Sequence, residues 1–124
     1  MKSYNKDLSA IYIDIDDTLT PDFGETFFTG SIEKIKELSK LVNITIWSQG
    51  GLDYVNEIVE KAGLQDYVCF CLPKPDLIID DLDFNDFCGN KKIKNGHLDW
   101  GFDIMDKLEG DWVEDSMTLR EIKE

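Results

Sequence analysis

Apolar positions follow two different periods along the first two thirds of the chain. Ala10 to Ile15 is an almost unbroken apolar run up to the acidic Asp14, the form taken by a strand buried on both faces. Ile32, Ile35, Leu38, Leu41 and Val42 recur at helical spacing, which predicts a helix capped by Ser31 and closed by Asn43. Ile44-Thr45-Ile46-Trp47 is rich in β-branched residues and predicts a second strand. Val55, Ile58, Val59 and Ala62 mark one side of a second helix from Leu52 to Ala62, with Gly63 as its left-handed C′ residue. Tyr67 to Cys71 predicts a third strand, and the short run Leu77-Ile78-Ile79 a fourth. Beyond Leu82 the pattern loosens, with one further helix expected from Asp99 to Leu108.

Strands alternating with helices over short links call for an α/β fold with parallel strands and right-handed crossovers. One domain is expected over 1–124, with its regular core at about 8–81 and a less regular part from 82 to 124. Parallel strands present their carboxyl ends along one edge, where α/β sheets bind ligands. Asp14, Asp16, Ser48, Lys74, Asp80 and Asp81 should gather there. Pro21 to Gly30, punctuated by Pro and Gly, reads as an irregular loop or a short hairpin standing over the first strand end.

Charge and composition narrow the classes. The chain carries 26 acids against 13 bases, a net charge of −13. That disfavours broad attachment to nucleic acid or an anionic membrane. No apolar run is long enough to span a bilayer, and the first residues lack the apolar core of a signal peptide, so a cytoplasmic protein is expected. The three cysteines are then expected to be reduced. Cys69, Cys71, Cys88 and His97 could form a four-ligand set, but their spacing matches no common zinc pattern.

Asp14-Ile15-Asp16-Asp17-Thr18 concentrates three carboxylates in four positions. Converging carboxylates repel unless a cation neutralises them or one keeps its proton, and either answer implies chemistry. Taken with Ser48 after the second strand, Lys74 in Pro73-Lys74-Pro75, and Asp80-Asp81 after Leu77-Ile78-Ile79, the DxDxT segment resembles the haloacid dehalogenase (HAD) superfamily of phosphotransferases. All four motifs of that family stand in order between about Ile11 and Asp81, which is far more specific than DxDxT alone.

The resemblance implies a three-layer Rossmann-like domain acting as a phosphomonoester phosphatase through an aspartyl-phosphate. Asp14 would be the nucleophile and Asp16 the acid and base, with Asp17 serving the turn. Ser48, Gln49, Gly50 and Lys74 would bind the phosphoryl oxygens, and Thr18 would orient the loop. Mg²⁺ would be held by Asp14, by Asp16 through its carbonyl, and by Asp80 or Asp81. Thr20 to Ser31 leaves room only for a flap, and Ser48 to Lys74 is filled by one helix and one strand, so this is the capless type. The phosphorylated substrate would be a protein, a nucleic-acid end, a nucleotide or a sugar phosphate, and water exclusion could fall to the substrate, the flap or a second copy in a homo-oligomer. The alternative is a non-catalytic HAD-like or receiver-like module. Receivers place the phosphoacceptor at the third strand and the Lys last, an order this chain does not follow.

Overall fold

Local pattern becomes regular structure in five elements. The structure, a computed structural model, describes residues 1–82. Strand β1 spans Ala10–Asp14, helix α1 Thr29–Leu38, strand β2 Asn43–Ser48, helix α2 Leu52–Lys61 and strand β3 Phe70–Pro73. The chain divides into two units, Met1–Asp76 and Leu77–Glu124, and all five elements belong to the first.

The three strands form a parallel sheet in the order β1-β2-β3. Its register pairs Asp14 with Trp47 and Ser48 with Pro73, so the carboxyl ends of the strands align on one edge. Strand alternation puts Ile13, Ile46 and Cys71 on one face, and Tyr12, Asp14, Trp47, Phe70 and Leu72 on the other. The core is built from Ile13, Ile15, Ile44 and Ile46 with Ile35 and Leu38 of α1 and Val55, Ile58 and Val59 of α2, all buried. The expected α/β class is therefore present, as a three-stranded parallel sheet with two helices. No described helix is long and apolar enough to cross a membrane.

Several boundaries differ from expectation, each for a physical reason. Helix α1 begins at Thr29, with Phe28 in the N-cap position, two residues before Ser31. Ser31 is instead buried, and its hydroxyl has no hydrogen-bond partner among the described residues. Asn43 opens β2 rather than closing α1. Its amide is buried and clamps the N-terminal segment, donating to the carbonyls of Asn5 at 2.8 Å and Leu8 at 3.0 Å. Strand β3 starts at Phe70 because Tyr67 is taken into the turn after α2, its N–H donating to Leu64 at 3.0 Å. Gly63 fills its expected role, with φ of 70°.

The fourth strand expected over Leu77–Ile79 does not form. A short apolar run becomes a strand only with a ladder partner, and among the described residues it has none. Leu77, Ile78 and Ile79 are exposed. Cys69 is buried and Cys71 half-buried, both as free thiols, with burial pushing the Cys71 thiol up. Cys88 and His97, the helix expected over Asp99–Leu108 and the rest of 83–124 lie outside the described residues.

Candidate active site

The site begins with the way β1 stops. The Ile15 carbonyl accepts N–H groups from Thr18 at 3.1 Å, Leu19 at 2.8 Å and Thr20 at 3.4 Å, which winds the chain into one tight turn. Asp17 closes it from the left-handed region, φ 61°, its N–H donating to the Thr20 carbonyl at 2.8 Å. Asp and Asn tolerate that conformation better than most residues. Asp16 meets Thr20 in an isolated bridge, so the turn holds Asp16 beside the start of the flap. Thr18 is buried under this turn.

The flap has its own internal frame. The Thr20 hydroxyl, 1% exposed as a residue, donates to the Thr26 carbonyl at 2.6 Å and accepts the Gly24 N–H at 2.9 Å. The Asp22 carboxylate accepts the Thr26 N–H and the Thr26 hydroxyl, each at 2.8 Å. Those bonds, led by the Thr26 N–H, hold the Asp22 carboxyl below its ordinary value. Residues 20–26 therefore form a small closed loop, while Thr29 and Gly30 at the end of the expected loop belong to α1.

Lys74 reaches this edge from the end of β3. Its N–H donates to the Ser48 carbonyl at 2.8 Å, tying the ends of β2 and β3 together. Its ammonium lies 2.9 Å from Asp14 Oδ1 and 5.8 Å from the centre of the Trp47 ring. The ion pair is open to solvent, the two side chains being 29% and 37% exposed. Such pairs contribute about 0.2–1 kcal/mol, so stability alone does not account for it. Its consequence is orientation: one Asp14 oxygen is held and the other is left without a protein partner among the described residues.

Ser48 is buried, and its Oγ accepts the Gly50 N–H at 3.0 Å, an arrangement that leaves the hydroxyl hydrogen to be donated elsewhere. Gln49 and Gly50 are exposed in the link to α2. Asp14, Asp16, Ser48 and Lys74 thus all stand at one edge of the first unit. Asp80 and Asp81 belong to the second unit, exposed and outside any strand, where Asp80 Oδ1 accepts the Leu82 N–H at 2.8 Å.

Two residues that the sequence motifs left outside the site belong to this edge. Trp47 pairs in register with Asp14, lies beneath the Lys74 ammonium, and packs edge-on against Tyr12 at 4.8 Å. Tyr54, in the first turn of α2, donates its hydroxyl to Asp16 Oδ1 at 2.6 Å. Burial, followed by the Asp16 hydrogen bond and the charges of Asp16, Asp14 and Glu57, pushes the Tyr54 phenol well above its ordinary value, so it keeps its proton and donates. Gly50 was expected to admit phosphate. A Cβ there would stand 2.7 Å from Tyr54 Cδ2, so the space that Gly50 leaves is taken by the Tyr54 ring. The signal in the sequence was Gly50-Gly51 followed three positions later by an aromatic residue off the apolar stripe of α2.

No family model matches this chain, and no curated protein matches it in sequence.

Proposed function

We propose that the protein is a magnesium-dependent phosphatase of the HAD type, acting on a phosphomonoester through phospho-Asp14. The observation that supports this best is the contact between Asp14 and Lys74, sixty positions apart, at the aligned ends of β1 and β3. A carboxylate held by a fixed cation beside a second carboxylate is the arrangement a nucleophilic phosphoryl transfer needs.

In the first step a free Asp14 oxygen attacks phosphorus while the bond to the leaving oxygen breaks. Asp16 gives that oxygen its proton, and the alcohol departs. In the second step Asp16 takes a proton from water, which attacks phosphorus and releases inorganic phosphate and Asp14. Lys74 shares its ammonium between Asp14 and the phosphoryl oxygens, and the Ser48 hydroxyl is the neighbouring donor. The donors suited to a metal are all carboxylate or carbonyl oxygens, the set a hard cation takes, and Asp14 keeps one oxygen clear of Lys74. Within the first unit, Asp14 and the Asp16 carbonyl would hold it. When bound, magnesium supplies the charge neutralisation that lets an anionic nucleophile meet an anionic phosphate.

The flap over 20–26 is a small closed loop, and water exclusion would fall to the substrate, the flap or a second copy of the chain. The proposed substrates are accordingly macromolecular phosphates or small phosphometabolites and nucleotides. Hydrolysis of an aryl phosphate, with and without EDTA and alongside Asp14→Asn, tests the reading. Turnover that requires Mg²⁺ and is lost in the variant is expected. Metal-independent turnover, or full activity in Asp14→Asn, would sink the mechanism, and an inert wild-type protein would favour the binding-module alternative.

A further inference from the structure

A carboxylate acting first as acid and then as base needs one defined oxygen facing the reaction, yet its two oxygens are equivalent until something distinguishes them. In this protein the Tyr54 hydroxyl does so, at 2.6 Å from Asp16 Oδ1. The tyrosine comes from a different element, thirty-eight positions away, and its ring fills the space left by the missing side chain of Gly50. Val55, the next residue, is fully buried and fixes the rotation of α2 about its axis. The phenol is therefore anchored at both ends.

We propose that Tyr54 is a positioning residue for Asp16: it occupies Oδ1, so that Oδ2 faces the leaving oxygen and carries the proton exchanged there. This rests on the phosphatase reading of Asp16 given above. As the proton leaves Oδ2 for the departing oxygen, Asp16 becomes a carboxylate. The bond from Tyr54 then becomes charge-assisted and stronger. Tyr54 itself gains and loses no proton, and it does not touch the substrate.

The consequence depends on the leaving group. An alkoxide leaves poorly and needs the proton of Asp16, whereas nitrophenolate leaves readily without it. Tyr54→Phe keeps the ring against Gly50 and removes the hydroxyl alone. General acid catalysis is worth about a hundred- to ten-thousand-fold, and loosening the acid should forfeit about tenfold or more of it. Hydrolysis of phospho-Asp14 is common to both esters, so the comparison is made on kcat/KM, which ends at its formation. We expect kcat/KM for ethyl phosphate to fall by at least about tenfold in Tyr54→Phe while that for nitrophenyl phosphate changes by less than about threefold. A residue that only supported the fold would lower both alike. In an Asp16→Ala background, Tyr54→Phe should add no further loss on ethyl phosphate, since the two act as one unit. Equal losses on both substrates, no loss on either, or additive losses in the double variant overturn the proposal alone. Full activity in Asp14→Asn, or no turnover of either ester by the wild-type protein, overturns the phosphatase reading and the proposal with it.

Discussion

Replacing Thr20 by Val tests whether the flap is held by one buried hydroxyl. Valine matches threonine in shape, so the change opens no cavity, and the loss is confined to hydrogen bonds. The Thr20 hydroxyl accepts the N–H of Gly24, which is buried and has no route to solvent. Leaving a buried donor unpaired costs about 1–3 kcal/mol. The bond donated to the Thr26 carbonyl is less costly to lose, because Thr26 is exposed and water can replace it, at a net of about 0.5–1.5 kcal/mol. Together these give a destabilisation of about 2–4 kcal/mol for Thr20→Val. Thr20→Ser keeps the hydroxyl's hydrogen bonds, those with Asp22 included, and removes one methyl, costing about 1 kcal/mol. Urea unfolding of the three proteins, read as free energy in water by linear extrapolation, supplies the comparison. The order expected is wild type, then Ser, then Val. A Val variant as stable as the Ser variant would refute the claim that the hydroxyl, and not the packing of its methyl, anchors the loop.

The remaining predictions bear on the core, the flap and the site. Ser31→Ala should stabilise the protein by about 1–2 kcal/mol in the same assay, because it removes a buried hydroxyl without a partner among the described residues and improves the helix; a loss of stability would show that the hydroxyl is bonded. The depressed Asp22 carboxyl contributes stability that is fully present above its ordinary value of 3.8 and is lost as the pH falls through the lower folded-state value. The stability gap between wild type and Asp22→Asn should therefore be constant near neutrality and close below about pH 4; a gap that widens on acidification would contradict this. Lys74→Met should lower kcat about a hundred- to a thousandfold and change stability by about 1 kcal/mol at most. Activity and urea titrations on one preparation separate the two effects. Gly50→Ala should push the Tyr54 ring off Asp16 and reproduce the leaving-group dependence of Tyr54→Phe, and uniform loss across leaving groups would show that Gly50 acts on the phosphate instead.

The parts of this fold that were legible in the sequence are those in which burial and backbone pairing act together. Ile13, Ile44 and Ile46 in strands, and Ile35, Ile58 and Val59 in helices, are positions where the period read from the sequence and the observed burial agree. Parallel pairing then carries Asp14, Ser48 and Lys74 to one edge without further information, because strand ends align whatever their side chains. The third strand slipped because Tyr67 and Val68 have strand-forming side chains, yet Tyr67 serves the turn after α2 through its main chain. Leu77–Ile79 misled for a related reason: propensity is local, and a ladder requires a partner. Tyr54 was only hinted at, by its place after Gly50-Gly51, for a third reason. Its position on α2 is compatible with a solvated face, and its meeting with Asp16 depends on the rotation of a helix fixed by Val55 and Ile58. The chemistry of the site is thus divided between two levels. The meeting of Asp14, the proposed nucleophile, with Lys74 follows from topology, whereas the orientation of Asp16, the proposed acid, follows from side-chain packing, and Gly50 is where the two meet. Its missing Cβ makes room for the ring that points a hydroxyl at Asp16.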